Sequence, residues 1–143
     1  MEITSPAFEA GGPIPARFTC DGADESPELK IAGLPEATAS LVLVMDDPDA
    51  PVGTWDHWVA YDIEPVGTIP ENVGSLGTGG LNSWKRLGYG GPCPPGGTHR
   101  YFFRVLALDG ALGLAEGATK DEVVTAVEGR VLAEATLMGT YSA

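Results

Sequence analysis

A mainly β fold, an antiparallel sandwich with small helical additions, is the class this sequence predicts, and three observations predict it. Twenty glycines and twelve prolines are the dominant local signal, and they cut the first 110 residues into short segments that leave no room for long helices. Three of those segments read as strong strands: Leu41–Asp46, His57–Ile63 and Arg100–Leu108. Only residues 119–133 carry a helical period. A chain of 143 residues with 43% hydrophobic side chains can bury one proper core, so residues 1–143 are read as a single domain. Many short strands with one helix near the end suit a sandwich.

Residues 3–8 form a first strand, interrupted by Pro6. The run Leu41-Val42-Leu43-Val44-Met45-Asp46 is apolar without alternation, which marks a strand buried on both faces. His57-Trp58-Val59-Ala60-Tyr61-Asp62-Ile63 is aromatic and β-branched. Residues 64–99 show little regular pattern; such long stretches are functional or disordered, and Trp84, Tyr89 and a proline cluster favour order. In 119–133, Thr119 caps and Glu122 completes a capping box, while Val123, Val124, Val127, Val131 and Leu132 recur at helical spacing. Gly129 interrupts that period and bends or stops the helix. The tail Ala135–Tyr141 is strand-like.

Eight basic residues face twenty acidic ones, a net charge of −12. Such a field repels phosphate backbones and anionic membrane surfaces over roughly 8 Å at physiological salt. With no basic stretch to hold it, nucleic acid is excluded as a partner. No apolar run approaches the roughly 20 residues of a membrane span, so membrane insertion is not expected. The start, Met1-Glu2-Ile3-Thr4, has neither a basic nor an apolar leader segment, and a cytoplasmic location is the expectation. Cys20 and Cys93 are too few for a disulfide framework, and a cytosolic compartment keeps thiols reduced, so free thiols are expected.

Polar residues concentrate in three places beside strands. Asp46-Asp47-Pro48-Asp49-Ala50-Pro51 closes the apolar strand; alone it reads as a turn, with proline ending the pairing and aspartate satisfying loop amides. Trp55-Asp56-His57-Trp58 opens the next strand, where a lone histidine between tryptophans reads as a core residue. Gly88-Tyr89-Gly90-Gly91-Pro92-Cys93-Pro94-Pro95-Gly96-Gly97-Thr98-His99-Arg100-Tyr101 reads alone as a turn-rich crossover. Its glycines expose amides and its prolines stiffen the loop, which also suits an anion.

Together they say more. The chain has two histidines, His57 and His99, each opening a strong strand beside a proline-rich loop. Nearby aspartates are expected to raise a histidine's pKa and keep it charged. A charged histidine, a tyrosine hydroxyl and a loop amide would together accept a phosphate or carboxylate.

These residues closely resemble the two signature regions of the phosphatidylethanolamine-binding protein family, which includes Raf kinase inhibitor proteins and plant flowering-time regulators. The resemblance rests on Asp47-Pro48-Asp49-Ala50-Pro51, His57-Trp58, and Gly91–Pro95 running into His99-Arg100-Tyr101. The shorter prokaryotic branch is the nearer match, through Phe18-Thr19-Cys20-Asp21-Gly22, Ser26-Pro27, Asn82-Ser83-Trp84 and Leu137–Tyr141. It spans nearly the whole chain and implies two antiparallel sheets with a small pocket at one end.

By position it implies that Asp47, Asp49, His57, His99 and Tyr101 form the pocket's polar wall, with Cys93, Pro94 and Pro95 as its rim. Arg100 is expected to pair with a carboxylate as scaffold. The alignment also implies that Cys20 and Cys93 are neighbours, able to bridge on oxidation if their Cα atoms lie within about 7 Å.

The implied function is noncatalytic binding of a small phosphorylated or carboxylated ligand, in a regulator or inhibitor of a kinase or protease. No cofactor and no metal are expected, and prokaryotic relatives imply a homodimer by analogy. A hydrolase using the Asp/His/Tyr set is the alternative, although no nucleophile elbow or phosphate loop occurs. Histidine plus carboxylate is also a legitimate metal ligand set. Three positions depart from the family pattern: Lys30-Ile31 in place of a frequent aromatic, Asp56 where charge is unusual, and Arg130 in place of a frequent histidine.

Overall fold

The computed structural model describes all 143 residues, Met1–Ala143. Eight strands run in chain order: β1 (Glu2–Thr4), β2 (Leu29–Ala32), β3 (Ser40–Asp47), β4 (Trp55–Ile63), β5 (Thr68–Ile69), β6 (Thr78–Gly79), β7 (Thr98–Leu108) and β8 (Val131–Ser142). One helix, α1 (Lys120–Ala126), precedes β8. The strands form two sheets, β1-β2-β5 and β6-β4-β3-β7-β8, with every pairing antiparallel.

Strand β3 explains its own composition. It lies in the middle of the larger sheet, between β4 and β7, and all eight residues are buried. Leu41, Leu43 and Met45 point toward the smaller sheet and pack with Ile3, Leu29, Ile31 and Ile69. Val42 and Val44 point the other way, onto Val123 and Val127 at α1. With both faces covered, Leu41–Met45 are apolar throughout, and polar residues stand only at the strand's two ends, Ser40 and Asp46-Asp47. Strand β7 instead alternates, burying Tyr101, Phe103, Val105 and Ala107 on one face.

Two element boundaries differ from expectation. The first strand stops at Thr4 rather than running to residue 8. Ser5 Oγ donates to the Glu28 carbonyl and accepts from Ala7 N, and Pro6 has no N–H for a ladder. The helix begins as expected, with Thr119 and Glu122 forming a reciprocal capping box, but ends at Ala126 rather than residue 133. Gly129 takes φ +75°, and the chain turns so that Val131 pairs with Leu108 at the start of a long edge strand. Strand pairing thus claims Val131 and Leu132 from the helical period. No helix is long and apolar enough to cross a membrane.

Candidate functional site

Antiparallel pairing brings the three polar segments to one end of the sandwich. Strands β4 and β7 flank β3 and run against it, so its last residues lie beside the first residues of both neighbours. Register then assigns the faces. Asp46 opposes Asp56, while Met45 opposes Trp58, which leaves His57 as the extra residue of a β-bulge. The bulge gives His57 and Trp58 independent aims: Trp58 enters the main core and His57 turns to the end cavity.

That cavity measures about 280 Å³. Asp47, His57, Cys93, Pro94, His99 and Tyr101 line it, together with Trp55, Trp84 and the Ala50–Val52 turn. Asp49 does not line it. Its carboxylate accepts from Arg100 Nε and Nη2, both at 2.9 Å, and from Arg100 N at 3.0 Å. The hydrogen bonds from Arg100 hold the Asp49 carboxyl down at about 2, against its partial burial. Arg100 therefore plays the scaffold part expected of it, with Asp49 as the carboxylate.

Each imidazole is fixed through Nδ1. His57 Nδ1 lies 2.7 Å from the Gly90 carbonyl, and His99 Nδ1 lies 2.6 Å from Asp47 Oδ2. Burial pushes the His57 pKa down, outweighing the Gly90 carbonyl and the charge of Asp47. This corrects the expectation that neighbouring aspartates keep His57 charged: at 3% exposure, desolvation wins. Tyr101 is fully buried, and burial, with Asp47 and Asp49 nearby, pushes its hydroxyl pKa up. Its Oη and the Trp55 Nε1 are both buried without a hydrogen-bond partner.

The irregular segment is an ordered wall. Asn82 Oδ1 accepts from Trp84 N and Arg86 N, at 2.9 and 3.2 Å, and Asn82 Nδ2 donates to the Gly88 carbonyl. This seats Trp84 edge-on to His57, with ring centres 5.0 Å apart, and Tyr101 meets the same imidazole edge-on at 5.2 Å. Gly90 must be glycine, because a Cβ there would run into the Trp84 ring. Three bonds tie this wall to the amino-terminal segment. Gly91 N donates to Asp24 Oδ1 at 2.8 Å, Tyr89 Oη to the Phe18 carbonyl at 2.7 Å, and Cys20 N to the Pro92 carbonyl at 3.1 Å.

A fourth tie is covalent. Cys20 and Cys93 form a disulfide, with Cα atoms 5.4 Å apart, so free thiols are not what the structure holds. The free-thiol expectation weighed cysteine count and compartment, while the tertiary ties above bring the two loops within the bridging distance that the family resemblance implied.

Asp56 does not charge the pocket mouth. It lies across from Asp46, and Lys120 from α1 reaches both, at 2.9 Å to Asp56 and 3.4 Å to Asp46. Arg104 Nη1 adds two contacts of 2.8 Å to Asp46. Burial pulls the Lys120 pKa down, but hydrogen bonds and charge from Asp56 and Asp46 overrule it and hold the ammonium up. Arg130 packs at the far end, donating to the Ala111 carbonyl. No group of three His, Cys, Asp or Glu side chains is arranged as a metal-ligand set.

The fold is a two-sheet sandwich with a small cavity at one end, walled by strand termini and a stiff loop. The phosphatidylethanolamine-binding protein family model matches residues 4–142, and this chain belongs to that family. It is 50% identical to a UPF0098 protein of Methanothermobacter thermautotrophicus, over 99% of this chain and 98% of that one. A UPF0098 protein of Aquifex aeolicus is 47% identical, over 99% of this chain and 88% of that one. Among solved structures, a phosphatidylethanolamine-binding protein homologue from Chlamydia trachomatis superposes with a TM-score of 0.96 at 40% identity, covering 99% and 97% of the two chains. YbcL of Escherichia coli, described as a member of the mammalian family, gives 0.91 at 28% identity, covering 99% and 98%.

Proposed function

We propose that this chain is a noncatalytic binding protein whose end cavity takes a small ligand through a phosphate or carboxylate group. The observation that carries the reading is the pair of partnerless buried donors, Trp55 Nε1 and Tyr101 Oη, beside two imidazoles whose Nε2 atoms also lack a protein partner. Buried polar groups are normally satisfied, so two orphaned donors on residues that line one cavity support its completion by a ligand. Asp47, His57, His99 and Tyr101 form the binding wall, Cys93 and Pro94 the rim, and Asp49 supports the site through Arg100. In keeping with family names such as Raf kinase inhibitor protein, occupancy would serve the regulation or inhibition of a kinase or protease. Cytoplasmic residence and homodimerisation belong to the same proposal.

The hydrolase alternative has one observation in its favour: the Asp47–His99 dyad leaves Nε2 free in the manner of a general base. No serine, threonine or free thiol lines the cavity to act as nucleophile. Calorimetric titration of phenyl phosphate and benzoate against wild type and His57→Ala tests both readings. A folded His57→Ala protein that binds these anions as well as wild type would overturn the pocket assignment. Release of phenol from phenyl phosphate would put the hydrolase ahead.

A further inference from the structure

We propose that the Cys20–Cys93 bridge is a thiol-exchange site, opened by a positively charged dithiol that attacks Cys20 and releases Cys93 as a reactive thiol in the cavity wall. The site is independent of which ligand the cavity takes.

Its surroundings separate this bridge from one that only holds a fold. Both half-cystines are exposed, and neither belongs to the two hydrophobic clusters. The loops it joins are already tied by the Gly91–Asp24, Tyr89–Phe18 and Cys20–Pro92 hydrogen bonds. Opening the bridge therefore leaves both loops in place. An exposed disulfide that the fold can spare is accessible to exchange, which proceeds by attack of a thiolate on one sulfur.

The two sulfurs differ as leaving groups. Cys20 is followed by Asp21 and Asp24, both exposed. Asp21 accepts from Tyr141 Oη and Asp24 from Gly91 N, so both carboxylates are fixed. Arg17, the nearest preceding cation, is occupied by Glu25 and Glu71. Uncompensated negative charge disfavours a thiolate on Cys20. Around Cys93 the pattern reverses, because residues 87–98 carry no charged side chain. The cavity that Cys93 lines has Asp47, His57, His99 and Tyr101 as its other titratable groups, and Asp47 is bound to His99 Nδ1. Trp55 Nε1 and Tyr101 Oη are buried there without partners, donors for a sulfur that turns into the cavity. Hydrogen bonds to the charged form favour it, so Cys93 is the better leaving group.

The exchange then runs in one direction. The incoming thiolate attacks Cys20 Sγ, the S–S bond breaks, and its electron pair leaves on Cys93 Sγ. The second thiol of the dithiol displaces Cys20, which leaves as a thiolate and takes up a proton. Two electrons have passed to the protein, and the dithiol departs as its own disulfide. Charge selects the attacker. With a net charge of −12 and two aspartates beside the attacked sulfur, an anionic thiol approaches against a repulsive field and a cationic one does not.

The test reduces wild-type protein with cysteamine and with 3-mercaptopropionate, comparing rates per thiolate. Cysteamine should be faster by about tenfold at low salt, with the gap closing in about 1 M salt as screening shortens. Equal rates at low salt overturn the charge selection. The mixed disulfide, trapped early with N-ethylmaleimide in mild acid, should carry cysteamine on Cys20 and maleimide on Cys93 by peptide mass. Cysteamine found mainly on Cys93, or divided equally, overturns the direction of attack. Cys20→Ser and Cys93→Ser proteins each leave one thiol for alkylation by iodoacetamide. The pH midpoint for Cys93 should lie below the ordinary value of about 8.5, and that for Cys20 above it. The reverse order overturns the assignment of Cys93 as the reactive thiol, and the wild-type trapping decides should either variant fail to fold. A bridge that resists both thiols until the protein unfolds is structural, and the proposal falls.

Discussion

Asp47 Oδ2 accepts from His99 Nδ1 at 2.6 Å while Asp47 Oδ1 accepts from the backbone of Asp49 at 2.7 Å. One carboxylate, 3% exposed, therefore sets both the tautomer of a pocket histidine and the path of the turn that follows β3. The arrangement needs two acceptors on one side chain.

Asp47→Asn tests that need. An amide has one acceptor oxygen, so with that oxygen on Asp49 N–H it turns its NH2 to His99 Nδ1–H, donor against donor, unless the ring moves its proton to Nε2. Stability should drop by about 1–3 kcal/mol, the cost of a buried polar group left without a partner. His99 should partly shift its proton to Nε2, which nitrogen-resolved NMR of the imidazole detects directly. Unchanged stability with the Nδ1 tautomer retained would show that the carboxylate does not control the ring.

His57 makes stability depend on pH in a defined direction. Its folded pKa is lowered by burial, so the folded state binds the ring's proton less well than the unfolded chain does. The contribution is fully present above the unfolded value of about 6.5 and is lost as pH falls through the lower folded value. Melting temperatures of wild type and His57→Gln should therefore converge as the solution is made more acidic. A gap that widens on acidification would mean that the folded protein holds His57 charged.

Much of this arrangement was legible before any coordinates. The run Leu41–Asp46 announced a doubly buried strand because β3 has a core on each face, and the motif segments gathered seven of the eight anticipated wall and rim residues at one cavity. What sequence could not give was facing. The bulge that turns His57 into the cavity depends on the Met45↔Trp58 and Asp46↔Asp56 register, a relation between strands. Asp49 was assigned to the wall because adjacent acids look alike in sequence, whereas its partner Arg100 is 51 positions away. Trp55 and Trp84 went unassigned. A tryptophan in an otherwise patternless, glycine-rich stretch was the available signal for Trp84. The helix over-ran to residue 133 because Val131 and Leu132 fit a helical period as well as an edge strand.

The disulfide predicts a graded response to reduction. Cys20 and Cys93 are 73 positions apart, a loop whose closure contributes about 4 kcal/mol in the chain-entropy account. Reduction should lower the melting temperature, yet the folded rim should persist. The Gly91–Asp24, Tyr89–Phe18 and Cys20–Pro92 hydrogen bonds still join the same two loops. Intact mass with thiol labelling, followed by melts and phenyl phosphate titration with and without a dithiol reductant, checks both halves. Two freely labelled thiols without reductant would show the bridge absent in solution. Lost binding by reduced, folded protein would make the bridge essential to the rim.

Tyr101→Phe separates a ligand-facing hydroxyl from a structural one, because the two roles predict opposite signs. The Tyr101 ring is fully buried and packs edge-on to His57, contacts that phenylalanine keeps. Its hydroxyl is buried with no partner in the protein, so the unliganded fold carries that group at a cost. Deleting it should leave stability unchanged or raise it by up to about 1 kcal/mol, unlike the loss expected when a made hydrogen bond is removed. Binding should move the other way. Without the donor, phenyl phosphate affinity should fall by about tenfold, the worth of a neutral hydrogen bond with some desolvation recovered. Thermal melts of ligand-free protein and calorimetric titration on the same preparation give both numbers. A less stable Tyr101→Phe protein with undiminished affinity would assign the hydroxyl to the scaffold and remove it from the binding wall.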